Sequence, residues 1–296
     1  MITISNAMRM PVLMRLRAWI ILLLPLLAAC SALQLSYNQG STLAYWWLDG
    51  YVDFSAEQSP RVKTALEDWF AWHRASQLPD YAQALAATQT LVVDKITPAQ
   101  VCSTVNAWQQ RFERAYERAT PALAEQVRTL LPEQIRHLER QQAKKHQEAV
   151  AEYLQSTLAE RQKLNFERSL DRAESLYGKL DETQRRLLAA ELAASPFDPE
   201  RWLAERRQRQ LDIVRNLRLW QAEYSDSATV QAGLRRLGVE LSQSPRSEYR
   251  AYAERLMESN CTLMAKLHNS STPSQRRRAV DKLKDWEIDL RALVRR

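Results

Sequence analysis

Hydrophobic positions along most of the chain recur every three to four residues, which is the spacing of one face of an α-helix. A clear example is the stripe formed by Val101, Val105, Trp108 and Phe112. Only 5 glycines and 11 prolines interrupt the 296 residues, whereas a sheet protein of this length needs many turn residues. The pattern predicts an all-α protein, an array or bundle of about eight to ten helices.

Several predicted helices begin at a capping residue that is followed three positions later by glutamine. In this capping box the first side chain accepts a hydrogen bond from the third residue's N–H, and the glutamine accepts one from the N–H of the cap. The boxes begin at Ser55, Thr97, Asp181 and Thr272. We expect the helix that follows Thr97 to end before Pro121, because proline lacks the N–H that a helix interior needs.

One predicted helix is much longer than the others. After Pro132, which suits the first position of a helix, residues 133–177 contain neither proline nor glycine. This stretch predicts one long helix near 132–177, on the order of 70 Å at 1.5 Å per residue. Gly178 follows it directly, and glycine is the residue that most often ends a helix.

The N-terminal segment reads as a targeting signal. Its apolar run, residues 18–29, spans twelve residues and contains Pro25, whereas a membrane-spanning helix needs about 20 apolar residues. Basic residues precede the run, as in a signal peptide; they are Arg9, Arg15 and Arg17. The run ends in the box of a lipoprotein signal, namely Leu27, Ala28, Ala29 and Cys30.

We therefore predict cleavage before Cys30 and acylation of its thiol, which makes membrane lipid the first expected partner. The predicted organisation is a lipoprotein signal peptide (1–29), a lipidated tether with an aromatic helix (30–54), and a helical periplasmic domain (55–296). The alternative is an ordinary secretory signal with a free Cys30. Met14 is an alternative start to Met1, since a compact basic region follows it.

The residue after the predicted lipid site indicates the destination. Ser31 occupies the second position of the mature chain. By similarity to enterobacterial lipoproteins, a residue other than aspartate there favours the outer membrane, with the protein on its periplasmic face.

Charge gives little support for nucleic-acid binding. The whole chain carries 42 basic and 35 acidic residues, and the signal peptide holds three of the basic ones, so the mature chain has 39 against 35, or +4. An excess this small, spread over the whole chain, is typical of an ordinary helical surface. We expect no nucleic-acid partner.

The cysteines fit an oxidising compartment. Without Cys30 an even pair remains, Cys102 and Cys261, and disulfides persist in the periplasm. Each lies on or beside an apolar helical stripe. A disulfide between them and two buried free thiols are the alternatives, with the disulfide slightly favoured.

Several short motifs resemble an uncharacterised family of proteobacterial lipoproteins. They are Leu35–Asn38, Tyr45–Ser55, Trp72–Arg74, Leu78–Tyr81 and Tyr177–Leu180. The resemblance covers the mature chain and implies an envelope lipoprotein made of helices. Because the family is a domain of unknown function, it implies no activity.

A weaker similarity is to the periplasmic chaperones Spy and CpxP, which carry a Leu-Thr-x-x-Gln repeat. Residues 96–100, Ile-Thr-Pro-Ala-Gln, come closest to that repeat. Phe54-Ser55 and Leu180-Asp181 depart from it at the second position. The motif is itself a capping box, so convergence explains it without common ancestry.

No catalytic, metal or cofactor signature stands out. Glu133 and His137 are four apart on one helical face, but no third ligand follows at a usable spacing. A nucleophile elbow and a phosphate-binding glycine loop are both missing from the sequence. We expect no enzyme activity and no cofactor.

One group of residues is the best candidate for a functional site. Asp49 and Asp53 are four apart, so they share a helix face beside aromatic residues, and paired carboxylates among aromatics are able to act as an acid and a base. The whole candidate cluster is Trp46, Trp47, Asp49, Tyr51, Asp53, Trp72, His73 and Arg74. A hydrolase acting through Asp49, Asp53 and His73 is the enzyme alternative. A core histidine bonded to an aspartate is the structural one.

A third alternative is binding to anionic lipid or glycan through basic runs. These runs are Arg206, Arg207, Arg209, Arg215 and Arg218, and Arg276–Arg278. The leading hypothesis is a non-enzymatic, lipid-anchored helical scaffold or chaperone-like protein that binds an envelope protein partner.

Overall fold

The computed structural model describes residues 32–154 and 157–295, and in these ranges it is helical without a strand, which confirms the all-α prediction. The chain divides into two compact units, Met1–Gly40 and Ser41–Arg296. The first contributes α1 (Ala32–Asn38). The other helices are α2 (Gly40–Val52), α3 (Gln58–Trp72), a π-helical turn (His73–Gln77), α4 (Leu78–Leu91), α5 (Pro98–Arg128), α6 (Pro132–Tyr153), α7 (Leu158–Tyr177), α8 (Glu182–Ala194), α9 (Pro199–Ala222), α10 (Ser227–Ser242), α11 (Ser247–Ser270) and α12 (Pro273–Val294). None of the helices in these ranges is both long and apolar enough to cross a bilayer.

The core of the second unit consists of several separate clusters. One joins α5, α6, α9 and α10 around Ile135, Trp220 and Val230. Another joins α7, α8, α11 and α12 around Leu188 and Leu267. Full burial of each large apolar side chain contributes roughly 1.5–3 kcal/mol. Separate clusters of this kind are expected of an array, in which each helix packs mainly on a few neighbours.

Capping glutamines connect pairs of helix starts. Gln58 and Gln134 exchange side-chain amide hydrogen bonds of 3.1 and 2.7 Å, which joins α3 to α6. Gln184 and Gln275 do the same at 2.8 and 3.0 Å, which joins α8 to α12. Each glutamine also accepts from the backbone N–H of its own cap, as Gln58 does from Ser55 at 2.9 Å. One side chain therefore caps its own helix and fixes a neighbouring one.

The predicted capping boxes are confirmed. The side chains of Thr97, Asp181 and Thr272 each accept from the N–H three residues on. Ser55 makes the same reciprocal bonds, although α3 itself begins at Gln58. Gly178 ends α7 with a φ of +76°, a conformation that favours glycine.

The prediction of one long helix near 132–177 is wrong. This stretch forms two helices, since α6 ends at Tyr153 and α7 begins after Thr157. The Thr157 side chain accepts from the Glu160 N–H, and the Glu160 carboxylate accepts from the Thr157 N–H. A capping box thus starts a new helix inside a stretch free of proline and glycine.

The expected end before Pro121 is also wrong, since α5 continues to Arg128. An interior proline costs a helix about 3 kcal/mol. Thr120 and Ala124, on either side of the proline, are fully buried. Tertiary packing on both sides of Pro121 holds the helix together where local propensity would end it.

Candidate functional site

An apolar cavity lies between α2, α3 and α5. We call it the first cavity; its volume is about 590 Å³. The polar side chains in its lining belong to Asp68, Arg118 and Gln126. The apolar lining is Ala44, Leu48, Val52, Phe54, Val62, Ala65, Leu66, Trp69, Phe70, Ala119, Pro121, Ala122, Leu123, Val127 and Leu130.

A sharp turn at the end of α2 closes one side of the first cavity. The Asp49 carboxylate accepts from the Phe54 N–H at 2.9 Å, and Asp53 adopts a φ of +59°, which aspartate tolerates better than most residues. Gln134 donates to the Asp53 carbonyl at 2.8 Å. Tyr45 stacks on Phe54, with ring centres 6.2 Å apart. These contacts bring α2 back against α3.

The rim of the first cavity carries one cation and one anion. The Arg118 guanidinium lies 5.8 Å from the centre of the Trp72 ring, within cation–π range. In the described part of the chain neither Arg118 nor Asp68 forms an ion pair. Apolar walls with a few polar groups at the mouth are typical of a binding cavity. The lining holds no nucleophile beside a base.

Two of the three tryptophans of the candidate cluster, Trp46 and Trp47, do not line the first cavity. Trp46 and Trp47 are each 64% exposed. Tyr51 lies one turn beyond Trp47, with ring centres 5.0 Å apart. These residues form the outer face of α2, whereas Ala44, Leu48 and Val52 face the cavity.

His73 and its neighbours lie in the π-helical turn. The His73 ring stacks on Trp69 at 4.7 Å and meets Tyr81 edge-on at 5.3 Å. Burial lowers the pKa of the His73 imidazole to about 4. Arg74 donates to the Leu293 carbonyl at 2.9 Å, which fixes the turn to α12.

The predicted cluster therefore does not form one site. Asp49 serves as a backbone cap, Asp53 is exposed, and His73 is buried in an aromatic stack. This placement gives no support to a hydrolase that uses all three.

Cys102 and Cys261 form a disulfide that joins α5 to α11, with an S–S distance of 2.05 Å. Cys261 is 1% exposed and packs with Ile96, Val101 and Ala265. The bond therefore lies inside one of the core clusters. The lipid site Cys30 and the signal box Leu27, Ala28 and Ala29 lie outside the described residues and stay predictions.

No metal site appears in the described ranges, where no group of three or more potential ligands comes together. His137 of the Glu133–His137 pair lies 3.2 Å from the Gly50 carbonyl oxygen and 3.3 Å from the Gln141 amide.

The basic run of α9 is engaged in hydrogen bonds and ion pairs. Arg209 and Arg246 both bond the buried Glu205, at 2.8 and 2.6 Å. Burial alone would raise the pKa of Glu205, but hydrogen bonds from Arg246, Arg209 and Ser244 outweigh it and lower the pKa to about 2. Arg218 pairs with Glu139. Most arginines of this run therefore stabilise the fold through contacts within the protein.

The first cavity was missed from the sequence. Its lining comes from residues 44–70 and 118–130, and most of these positions are apolar residues of helices, as in an ordinary core. No local signal separates a residue that lines a cavity from one that fills a core.

Together the fold and the cavity define a class: an all-helical protein with an apolar cavity. A family model described as a family of unknown function (DUF6279) matches residues 50–250. The chain belongs to this family, which confirms the resemblance to an uncharacterised family in its coarser form. No curated protein matches the chain, and no solved structure does.

Proposed function

We propose that this chain is a lipoprotein of the outer membrane, facing the periplasm, that binds apolar segments of partner proteins in the first cavity. It works without catalysis and without a cofactor. Acylated Cys30 supplies the anchor, and an envelope protein supplies the partner. The observation that carries the proposal is the first cavity itself.

Shape and chemistry both favour an apolar guest. A cavity of about 590 Å³ falls within the roughly 300–1,000 Å³ of known ligand cavities. Insertion of apolar side chains from a client removes both surfaces from water, which contributes about 25 cal/mol per Å². The Cys102–Cys261 disulfide fits an oxidising compartment such as the periplasm.

Aggregation of an unfolded client tests the binding activity. We expect the full-length lipoprotein, held in lipid nanodiscs, to suppress aggregation at a near-stoichiometric ratio. Ala122→Trp places an indole in the first cavity and should abolish most of the suppression. Asn106→Trp is the matched control, since Asn106 is an exposed residue of the same helix, away from the cavity.

Two results would overturn the binding proposal. One is no suppression by the wild-type protein, and the other is equal loss in Ala122→Trp and Asn106→Trp. The melting temperature of each variant separates loss of binding from loss of folding.

The anchor is tested separately. Mass spectrometry of the protein from cell envelopes should show acyl chains on an N-terminal Cys30. The Cys30→Ala variant should leave the membrane fraction on salt washing. An unmodified Cys30 in the wild type would refute the anchor without bearing on the cavity.

A further inference from the structure

A second cavity lies among α7, α8 and α11, with Tyr153 of α6 and Trp202 of α9 at its edge. We call it the arginine cavity; its volume is about 560 Å³. Its apolar walls include Leu176, Leu188 and Leu263. Leu188 is 1% exposed, so the floor is formed by the core itself.

Polar side chains from two helices line the arginine cavity. Asn165, Ser169 and Arg172 follow each other at the spacing of one face of α7, and Asn260 joins them from α11. In the described part of the chain none of these four side chains has a hydrogen-bond or ion-pair partner. Arg172 and Asn260 are exposed and Asn165 and Ser169 are half-buried, so a ligand in the cavity would exchange their bonds to water for bonds to its own polar group.

The charged side chains that line the arginine cavity are all positive. Both of its charged residues are arginines, and no aspartate or glutamate is among the described residues that line it. Arg168 is held by Glu152 at 3.2 Å and lies 4.7 Å from the Tyr153 ring centre. Arg172 is the cation left available for an anion.

We propose that the arginine cavity binds a long-chain fatty acid. The acyl chain packs against the leucines of the floor, and Arg172 binds the carboxylate with help from the amides of Asn165 and Asn260. An apolar volume of this size fits a single acyl chain, and a guanidinium with two amides is a suitable set of donors for a carboxylate. This site is separate from the first cavity, so it goes beyond the function proposed above.

A photoreactive palmitate tests the site on the full-length protein in phosphatidylcholine nanodiscs. After illumination, mass spectrometry should place the label on peptides of α7 and α11, which carry Ser169, Leu176, Asn260 and Leu263. Unlabelled palmitate should compete, and hexadecanol, which has the same chain and no charge, should compete poorly.

Charge reversal at the mouth provides the decisive comparison. Arg172→Glu should lower the labelling of these peptides by about tenfold, since a charge-assisted hydrogen bond contributes that much affinity. Arg172→Gln should give a smaller loss. Lys163→Glu is the matched control, because Lys163 is an exposed cation of the same helix outside the cavity, and it should leave the labelling unchanged.

The proposal fails if the label does not reach α7 and α11, or if Arg172→Glu and Lys163→Glu behave alike. It also fails if hexadecanol competes as well as palmitate, since the carboxylate would then contribute nothing to binding. Because Arg172 is exposed, its variants should keep the wild-type melting temperature.

Discussion

At the scale of single residues, we expect buried ionisable groups to make the stability of this protein depend on pH. His73 is 9% exposed, and its pKa is lowered to about 4 by burial, from an ordinary value of 6.5. The unfolded chain therefore binds a proton at this imidazole below pH 6.5, whereas the folded chain does so only near pH 4. The free energy of unfolding should fall across this window as the pH decreases, by about 3 kcal/mol at most.

His73→Phe should remove this part of the pH dependence while keeping the aromatic stack on Trp69. Urea unfolding between pH 7 and pH 4 should show a shallower loss of stability in the variant than in the wild type. His268, whose pKa burial also lowers, is present in both proteins and cancels in the comparison. If the free energy of unfolding depended on pH equally in the two proteins, protonation of His73 would not contribute to the loss of stability.

Glu205 has the opposite character, because it is a buried anion held by cations. Its lowered pKa means that it stabilises the fold above about pH 4.5 and loses this effect as the pH falls toward 2. Glu205→Gln should destabilise the protein by about 3 kcal/mol at pH 7, since Arg246 and Arg209 lose their shared anion.

The control for Glu205 is an exposed ion pair. Glu117→Gln removes the partner of Arg235 at 2.8 Å and should cost less than about 1 kcal/mol. Urea unfolding of both variants at pH 7 and pH 3 should show the Glu205 effect shrinking in acid. Equal costs at pH 7 would contradict a structural role for this network.

At the scale of helices, two glycines of α10 allow aromatic side chains to approach the backbone. A Cβ at Gly233 would lie 2.2 Å from Trp220, and one at Gly238 would lie 2.4 Å from Tyr116. Gly233→Ala should therefore destabilise the protein by roughly 1–3 kcal/mol through overpacking.

Gly50 provides the matched control, since it is helical and a Cβ there would meet nothing within 4 Å. Gly50→Ala should stabilise the fold by roughly 0.5–1 kcal/mol. Thermal unfolding of both variants measures the contrast. A stabilising Gly233→Ala would show that the Trp220 ring moves aside at no cost.

Helix starts were more predictable than helix ends. A capping box is local, so Thr97 and Asp181 indicated their helices from four residues of sequence. Thr157 and Glu160 have the same spacing with glutamate in place of glutamine, and this signal would have revealed the break between α6 and α7. Pro121 misled the prediction because the packing that retains it comes from other helices.

At the scale of the whole molecule, the sequence predicted the fold class but not the cavities. Periodicity records which face of each helix is apolar, and it does not record how neighbouring faces match in shape. The first cavity and the arginine cavity arise where facing helices do not meet, and Arg172 looks in the sequence like any other charged surface residue. The placement of such residues depends on tertiary packing.

The Cys102–Cys261 disulfide acts at the scale of the whole chain, since it links residues 159 apart in sequence. In the chain-entropy description, a loop of this length destabilises the unfolded state by about 5 kcal/mol.

Changing both cysteines to alanine should lower the melting temperature by roughly 10 °C. Dithiothreitol should produce a smaller loss in the wild type and none in the double variant. Because Cys261 is buried, an alanine there also removes core contacts, and the reductant isolates the effect of the bond itself. If the wild-type melting temperature were unchanged by reductant, the stability of the array would rest on its helix contacts alone.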